Sequence, residues 1–147
     1  MKLVYKTFEE LTTKELYEIL KARAEIFVVE QNCVYQDLDD IDYRSMHVFY
    51  QNENGNVIAY LRLFQKDGDV NIIQMGRVLT LKHGTGLGGQ ILRAGIDAAK
   101  NHMKAKKINM EAQTYATGFY EREGFEICSE EFLEDGIPHV QMELKLV

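Results

Sequence analysis

Cysteine is scarce in this chain, and segments typical of a metal site or a membrane protein are missing. Two cysteines, Cys33 and Cys128, and four histidines occur in 147 residues, with no CxxC pair, so neither a zinc site nor a disulfide framework is indicated. No apolar run approaches transmembrane length, and the N-terminus lacks the apolar core of a signal peptide. We therefore expect two free thiols in a reducing cytoplasm and no membrane partner.

Basic residues are outnumbered by acidic ones. The chain has 17 Lys and Arg against 23 Asp and Glu, for a net charge of −6, and no long basic block. Nucleic-acid binding relies on a basic surface, so we expect no nucleic acid partner. The hydrophobic fraction of 46% is ordinary for a globular protein. The length predicts one domain over residues 1–147.

Hydrophobic periodicity predicts a mixed α/β domain. Thr12 and Glu15 form a capping-box pattern before apolar residues at helical spacing, so a first helix should begin there. Antiparallel hairpins precede a central strand–helix–strand unit. The predicted strands cover residues 3–8, 46–51, 57–64, 70–81, 107–113, 125–128 and 139–146; further helices cover 87–103 and 115–122; residues 32–44 and 130–138 are loops.

The segment HGTGLGG at residues 83–89 is the clearest functional signal. It joins a predicted strand to a predicted helix, and such a turn presents several backbone N–H groups at the positive end of the helix. That arrangement suits a phosphate group. Glycine lets a ligand approach the backbone and permits positive φ. We therefore expect a phosphorylated ligand at this turn.

Three interpretations of the turn compete. Gly84, Gly86 and Gly89 match the dinucleotide pattern G-x-G-x-x-G, but that fold places the pattern near the start of a doubly wound parallel sheet. Here antiparallel hairpins precede the turn and only about 58 residues follow it. A nucleoside-triphosphate loop is excluded because no Lys-Ser or Lys-Thr follows the glycines. A turn that merely connects strand to helix stays open, and the third interpretation draws on the whole chain.

The order of elements and two motifs resemble the GNAT superfamily of acetyl-CoA-dependent N-acetyltransferases. The HGTGLG segment at 83–88 is similar to the family's Gln/Arg-x-x-Gly-x-Gly/Ala motif, with histidine in first position. Phe-Tyr at 119–120 and Gly-Phe at 124–125 resemble its second motif. The resemblance covers nearly all 147 residues. It implies an α/β GNAT-like fold with a central mixed sheet of six to seven strands, flanked by about four helices.

Three further segments look like the ElaA-type branch of GNAT. They are RxxIFVxEQ at residues 23–31, DxDD at 37–40 and EDGIPH at 134–139. This likeness names no acceptor substrate. The family resemblance implies only that the partner is a primary amine of a small molecule or peptide.

The resemblance implies acetyl-CoA as co-substrate, with its pyrophosphate on the glycine turn and its pantetheine arm added to the 70–81 strand. Gly76 interrupts that strand, and a bulge there would aim N–H groups at the thioester carbonyl. Because His83 stands where Arg or Gln is usual, we expect weaker or pH-dependent CoA affinity. The candidate cofactor-binding residues are Val78, Leu79, Thr80, His83, Gly84, Thr85, Gly86, Leu87, Gly88 and Gly89.

Direct acyl transfer to an amine needs an acid for the departing sulfur and a base for the amine. Tyr120 matches the family's frequent general-acid tyrosine, although its aromatic surroundings are also typical of a core. Glu111 lies in an apolar run where burial could raise its pKa, and we name it as a candidate base. Pairing with a lysine or with Arg77 is the alternative for Glu111. Glu30 and His139 remain as further candidate bases.

Candidate acceptor-binding residues lie near the end of the first helix and near the C-terminus. They are Arg23, Glu30, Gln31, Tyr35 and His139. The seven-residue spacing of Arg23 and Glu30 puts them near one helix face, although a solvated face would carry the same residue types. The alternative function is a catalytically silent acyl-CoA-binding or sensing module. The final strand could pair across a homodimer.

Overall fold

The computed structural model describes residues 1–32 and 35–147. The prediction for Cys33 lies outside these ranges, whereas Cys128 is an exposed free thiol. Two of the α-helices are continued by wide π-helical turns: the first helix through Ala24–Glu30 and the second through Ala98–His102. The elements in chain order are β1 (Lys2–Thr7), α1 (Thr13–Arg23), β2 (Met46–Gln51), β3 (Val57–Lys66), β4 (Asp69–Thr80), α2 (Leu87–Asp97), β5 (Lys107–Gln113), α3 (Thr117–Glu121), β6 (Glu126–Ile127), β7 (Phe132–Glu134) and β8 (Ile137–Lys145).

The first helix begins where the sequence predicts. The Glu15 backbone N–H donates to the Thr12 hydroxyl at 3.0 Å, and the Thr12 N–H donates to the Glu15 carboxylate at 2.8 Å. This reciprocal capping box satisfies two backbone donors that would otherwise lack partners at a helix start.

The strands form one mixed sheet in the order β1-β2-β3-β4-β5-β8-β6, with β7 paired to β8. Strands β4 and β5 run parallel, and the other described pairs are antiparallel. The predicted mixed α/β sheet is therefore confirmed. Within residues 1–32 and 35–147 the domain has eight strands and three α-helices, whereas the sequence predicts six to seven strands and about four helices.

The additional strand lies in the segment predicted as a loop. Phe132 pairs with His139 and Glu134 with Ile137, so β7 and β8 form a hairpin. Its two-residue turn is Asp135-Gly136, with φ values of 51° and 76°. Positive φ at both positions is type I′ geometry, for which Asp-Gly is a favoured sequence. The loop prediction is wrong here because a strand of three residues is too short to show alternation.

Helices α1 and α2 cover opposite faces of the sheet. Ile91 of α2 belongs to the same core cluster as Leu61, whereas Ile19 of α1 belongs to the cluster around Tyr60. Tyr60 and Leu61 are successive residues of β3 and point to opposite faces, and both are fully buried. Among the described residues, no helix is both long enough and apolar enough to cross a membrane.

The centre of the sheet opens where β4 and β5 separate. Their parallel pairing extends from Ile72 and Lys107 to Met75 and Met110. Strand β4 nevertheless continues to Thr80, and β5 continues to Gln113. Beyond Met75 the two strands no longer pair with each other, so the edge of β4 from 76 to 80 is open to a ligand on that side.

Strand β4 carries a bulge beside this opening. Between Gly76 and Leu79 its register against β3 slips, so that Arg77 and Val78 stand opposite Leu61 alone. Arg77 has a φ of 52°, a conformation that is costly for a residue with a side chain. The bulge predicted at Gly76 therefore lies one residue later.

Candidate active site

Two cavities of about 640 and 620 Å³ meet at the opening between β4 and β5. The hairpin cavity lies beside the β7–β8 hairpin and includes Phe64, Glu111 and His139 in its lining. The glycine-turn cavity lies over residues 82–86 and also reaches Arg93. The residues that line both cavities are Phe27, Gln31, Val78, Tyr115 and Tyr120. A molecule in one cavity can therefore approach a molecule in the other.

The glycine-turn cavity has the backbone geometry that its sequence predicts. Gly84 and Gly86 have φ values of 75° and 79°, and Gly86 is the residue immediately before α2. A Cβ added at Gly88 would lie 3.1 Å from Cε1 of Phe119. The turn thus needs glycine for its conformation at two positions and for close packing at a third. The open N–H groups at the start of α2 suit an anion.

The structure brings nine of the ten predicted cofactor-binding residues to this cavity. Leu87 is the exception: it is buried in the hydrophobic core against the sheet, because the first turn of α2 directs its side chain inward. The nine lining residues are Val78, Leu79, Thr80, His83, Gly84, Thr85, Gly86, Gly88 and Gly89.

His83 connects the glycine turn to the π-helical end of α1. Its Nε2 lies 3.0 Å from Oε1 of Glu30, and the side chains are 70% and 49% exposed. Glu30 is thus beside the glycine turn and is not among the described residues that line the hairpin cavity. This placement differs from its predicted position in an acceptor pocket.

Tyr120 occupies the junction of the two cavities. It is 9% exposed, and its ring packs edge-to-face against Phe119 and Phe125 with centroid distances of 4.9 and 6.1 Å. Burial raises the pKa of its phenol, and Tyr115 adds to the effect. Tyr120 therefore packs in the core and also lines both cavities, and the raised pKa keeps its phenol protonated.

The hairpin cavity collects three of the five predicted acceptor-binding residues. Gln31, Tyr35 and His139 line it, and the Tyr35 hydroxyl donates to Oδ1 of Asp37 at 2.8 Å. His139 is 8% exposed, so most of its ring is covered. A few polar side chains placed in a concave space can fix the orientation of a small-molecule ligand.

Arg23 does not lie in the wall of this cavity, and the prediction that it contacts the acceptor is not supported by its position. Its side chain is fully buried; Nε donates to Oδ2 of Asp37 at 3.0 Å and a terminal nitrogen to Oδ1 of Asp42 at 2.7 Å. With its charge compensated by two aspartates, Arg23 fixes the loop that forms one wall.

Glu111 faces the hairpin cavity from β5, and its side chain is exposed there. Partial burial of its carboxyl raises its pKa, and Glu134 raises it further, whereas His139 and Lys66 act in the opposite direction. The alternative pairing with Arg77 is not present among the described ion pairs, in which Arg77 contacts Asp37 and Asp39. A raised pKa makes a carboxylate a stronger base and so better suited to accept a proton from a substrate.

The family assignment follows from a sequence comparison that covers almost the whole chain. A family model described as an acetyltransferase (GNAT) domain matches residues 9–146. The chain belongs to the GNAT family. A UPF0039 protein of Schizosaccharomyces pombe is 37% identical to this GNAT chain over 149 residues, covering 99% of the chain and 98% of that protein.

Solved structures agree with this assignment. An acyl-CoA N-acyltransferase from Pseudomonas aeruginosa superimposes with a TM-score of 0.90 at 34% identity, over 98% of this chain and 99% of that one. ElaA of Escherichia coli superimposes with a TM-score of 0.90 at 31% identity, with the same coverage. The predicted GNAT fold, its ElaA-type branch and an acyltransferase activity are therefore confirmed.

The sequence analysis missed a cluster of arginines and aspartates at the GNAT site, and Asp39, Arg62 and Arg77 of this cluster line the hairpin cavity. Arg62 donates to both carboxylate oxygens of Asp39, at 2.8 and 2.6 Å, and to Asp42 at 3.0 Å. Arg77, on the β4 bulge, donates to Oδ1 of Asp37 at 2.8 Å. The DxDD segment was noted only as a family likeness, and nothing in its spacing identifies its partners.

We expect Asp42→Asn to destabilise the protein by about 3 kcal/mol, because it leaves two buried guanidinium groups undercompensated. Burial acts to raise the pKa of Asp42, but Arg23 and Arg62 outweigh it and the pKa is lowered. The loss of unfolding free energy should therefore have its full size above about pH 4, the ordinary pKa range of an aspartate, and should shrink as the pH falls further.

Urea unfolding of the two proteins at several pH values measures this difference. Asp40→Asn is the matched control, because Asp40 is exposed and has no ion pair among the described residues. Equal unfolding midpoints for Asp42→Asn and Asp40→Asn would contradict a stabilising role of the cluster.

Proposed function

We propose that this GNAT protein is an acetyl-CoA-dependent N-acetyltransferase that transfers the acetyl group to a primary amine of a small molecule or peptide. The observation that carries the proposal is the meeting of the two cavities at Tyr120. Direct transfer requires that donor and acceptor lie in contact. Separate spaces that join beside one buried phenol provide that arrangement.

The glycine-turn cavity is assigned to acetyl-CoA. The N–H groups of the turn and the start of α2 would bind the pyrophosphate. The pantetheine arm would add to the open edge of β4 at Val78, Leu79 and Thr80, where pairing with β5 has ended. The thioester would then lie next to the bulge at Arg77 and Val78.

That bulge is suited to stabilise the tetrahedral intermediate. Regular β pairing would occupy the N–H groups of β4, whereas the register slip at Arg77 and Val78 interrupts the ladder to β3. Preorganised backbone donors at a developing oxyanion are a common catalytic device.

Two side chains are assigned to proton transfer. An alkylamine with a pKa of about 10.4 costs roughly 4–5 kcal/mol to deprotonate at pH 7, and Glu111, whose pKa is raised, would take that proton. The amine nitrogen then attacks the thioester carbonyl carbon and the C–S bond breaks. Tyr120 would give its proton to the departing thiolate and recover one from the amide nitrogen.

Calorimetric titration with acetyl-CoA, with NAD as the comparison, tests the donor assignment. We expect micromolar affinity for acetyl-CoA and no response to NAD. A thiol-release assay over a panel containing lysine, spermidine and a short peptide then tests transfer. Binding without thiol release over the whole panel would favour the silent sensing module. No binding of acetyl-CoA would overturn the proposal.

His83→Arg is expected to tighten acetyl-CoA binding about three- to tenfold, because a fixed guanidinium charge near the pyrophosphate adds about 1 kcal/mol. The gain should shrink with added salt, as expected for an exposed interaction. His102→Arg makes the same change at the far end of the α2 segment and should leave the affinity unchanged. An unaltered dissociation constant for His83→Arg would place the pyrophosphate away from this residue.

A further inference from the structure

The sequence predictions give Glu134 no role, yet it lines the same cavity as two residues that have one. Glu111 on β5, Glu134 at the end of β7 and His139 on β8 all line the hairpin cavity. Glu134 is placed there by the Asp135-Gly136 turn, which folds the end of β7 back beside β8. Three strands thus bring three titratable side chains to one wall.

The hydrogen bonding of His139 fixes which of its ring nitrogens faces the carboxyls. Its Nδ1 lies 2.7 Å from the carbonyl oxygen of Ile137, and a carbonyl can only accept. Nδ1 therefore carries a hydrogen, and in the neutral ring Nε2 holds the lone pair. Nε2 lies 3.7 Å from Oε2 of Glu134, a gap that a small rotation of the Glu134 side chain closes. Stacking on Phe132, at a centroid distance of 6.0 Å, holds the ring in place.

Glu111 and Glu134 form a carboxyl pair at the other end of this row. Both line the hairpin cavity, and Glu134 raises the pKa of Glu111, as expected for neighbouring carboxylates, which favour holding one proton between them. The charged groups that face Glu111 are Glu134 from β7, His139 from β8 and Lys66 from β3. The pair can therefore accept a proton at one carboxyl while passing one on from the other.

We infer that Glu134 completes a proton relay, Glu111–Glu134–His139, that carries the proton of the acceptor amine away from the reacting centre. The inference rests on the proposed function. The ammonium proton moves to Glu111, the proton shared by the pair moves through Glu134 to Nε2 of His139, and the neutral amine attacks. Glu134 acts through Glu111 and is a positioning residue, whereas Glu111 contacts the amine.

NMR titration of protein labelled with ¹³C at the glutamate carboxyls tests the coupling directly. Glu134→Gln should lower the apparent pKa of Glu111 relative to wild type, because the neighbouring carboxyl that raises it is gone. Glu131→Gln is the matched control: it removes an exposed acid from the same segment, outside the cavity lining. An unchanged titration of Glu111 in Glu134→Gln would overturn the inference.

The pH dependence of turnover, measured with acetyl-CoA and the most active amine of the panel above, tests the role in the reaction. We expect the acid limb of kcat to move to lower pH and kcat to fall in Glu134→Gln, with KM for acetyl-CoA unchanged. Glu134→Asp should return the acid limb to its wild-type pH. Glu111→Gln should remove the limb and lower kcat about a hundredfold. A limb that Glu134→Gln leaves in place would overturn the relay even if the carboxyl pKa moves.

The two proposals fail in different ways. If wild type releases no thiol with any amine while the carboxyl titrations are coupled, the acetyltransferase proposal fails and the relay falls with it. If wild type is active and neither the titration of Glu111 nor the pH profile responds to Glu134→Gln, only the relay fails.

Discussion

Gly86→Asp is expected to abolish detectable acetyl-CoA binding while leaving the fold intact. Gly86 has a φ of 79°, and no heavy atom lies within 4 Å of an added Cβ, so the new side chain would project into open space. In the proposed complex that space holds the pyrophosphate. A carboxylate about 4 Å from a phosphate charge costs about 4 kcal/mol at an intermediate dielectric, or on the order of a thousandfold in affinity.

Gly68→Asp provides a closely matched control for this variant. Gly68 has a φ of 75° and is equally open, but it lies in the turn between β3 and β4. Both variants add one negative charge and similar left-handed strain, of roughly 1–2 kcal/mol. Calorimetry should show lost affinity for Gly86→Asp and normal affinity for Gly68→Asp. Retained binding in Gly86→Asp would mean that the donor site is wrongly placed.

The second large effect is expected for Tyr120→Phe, which should lower turnover about a hundredfold, the usual scale for loss of a general acid. Acetyl-CoA affinity should stay near normal, because the ring keeps its edge-to-face contacts with Phe119 and Phe125. Initial rates of thiol release at saturating acetyl-CoA, together with a binding titration, separate the two quantities.

Tyr17→Phe serves as the control for Tyr120→Phe, since Tyr17 is 68% exposed on α1 and lies outside the lining of both cavities. Its turnover should equal that of wild type. An unchanged rate for Tyr120→Phe would leave Tyr120 a core residue without a chemical role, and another group or a water would have to protonate the thiolate.

Features that depend on neighbouring residues could be predicted from the sequence. The capping box at Thr12 and Glu15 involves residues three apart, and the glycine turn at 83–89 depends on conformations that glycine alone adopts readily. Both features depend only on residues that lie close together in the sequence. The predicted bounds of β5, residues 107–113, agree with the structure for the same reason.

The position of Arg23 could not be predicted because the helix changes its winding. A spacing of seven residues nearly completes two turns of an α-helix, which would put Arg23 and Glu30 on one face. From Ala24 to Glu30 the backbone is π-helical, with wider turns that advance fewer degrees per residue. Glu30 is therefore rotated toward His83, while Arg23 is directed into the core.

Contacts between segments that are distant in the sequence could not be predicted either. Arg62 and Asp39 lie 23 residues apart, and Glu134 shares a cavity with Glu111 only because the β7–β8 hairpin folds back there. Such neighbourhoods depend on strand order and register, which one sequence leaves undetermined. The Asp135-Gly136 dipeptide was the available local signal for that hairpin.

The way the chain divides between the two cavities bears on how such enzymes diversify. The proposed donor side is built mainly from the end of β4, the glycine turn and α2, whereas the 35–44 loop and the 132–139 hairpin contribute to the walls of the hairpin cavity. Apart from the aspartates that bind Arg77, changes in these surface segments alter the shape and charge offered to an acceptor while leaving the end of β4 and the glycine turn in place. Descendants of one ancestral scaffold can thereby acquire new amine preferences while keeping a common acyl donor.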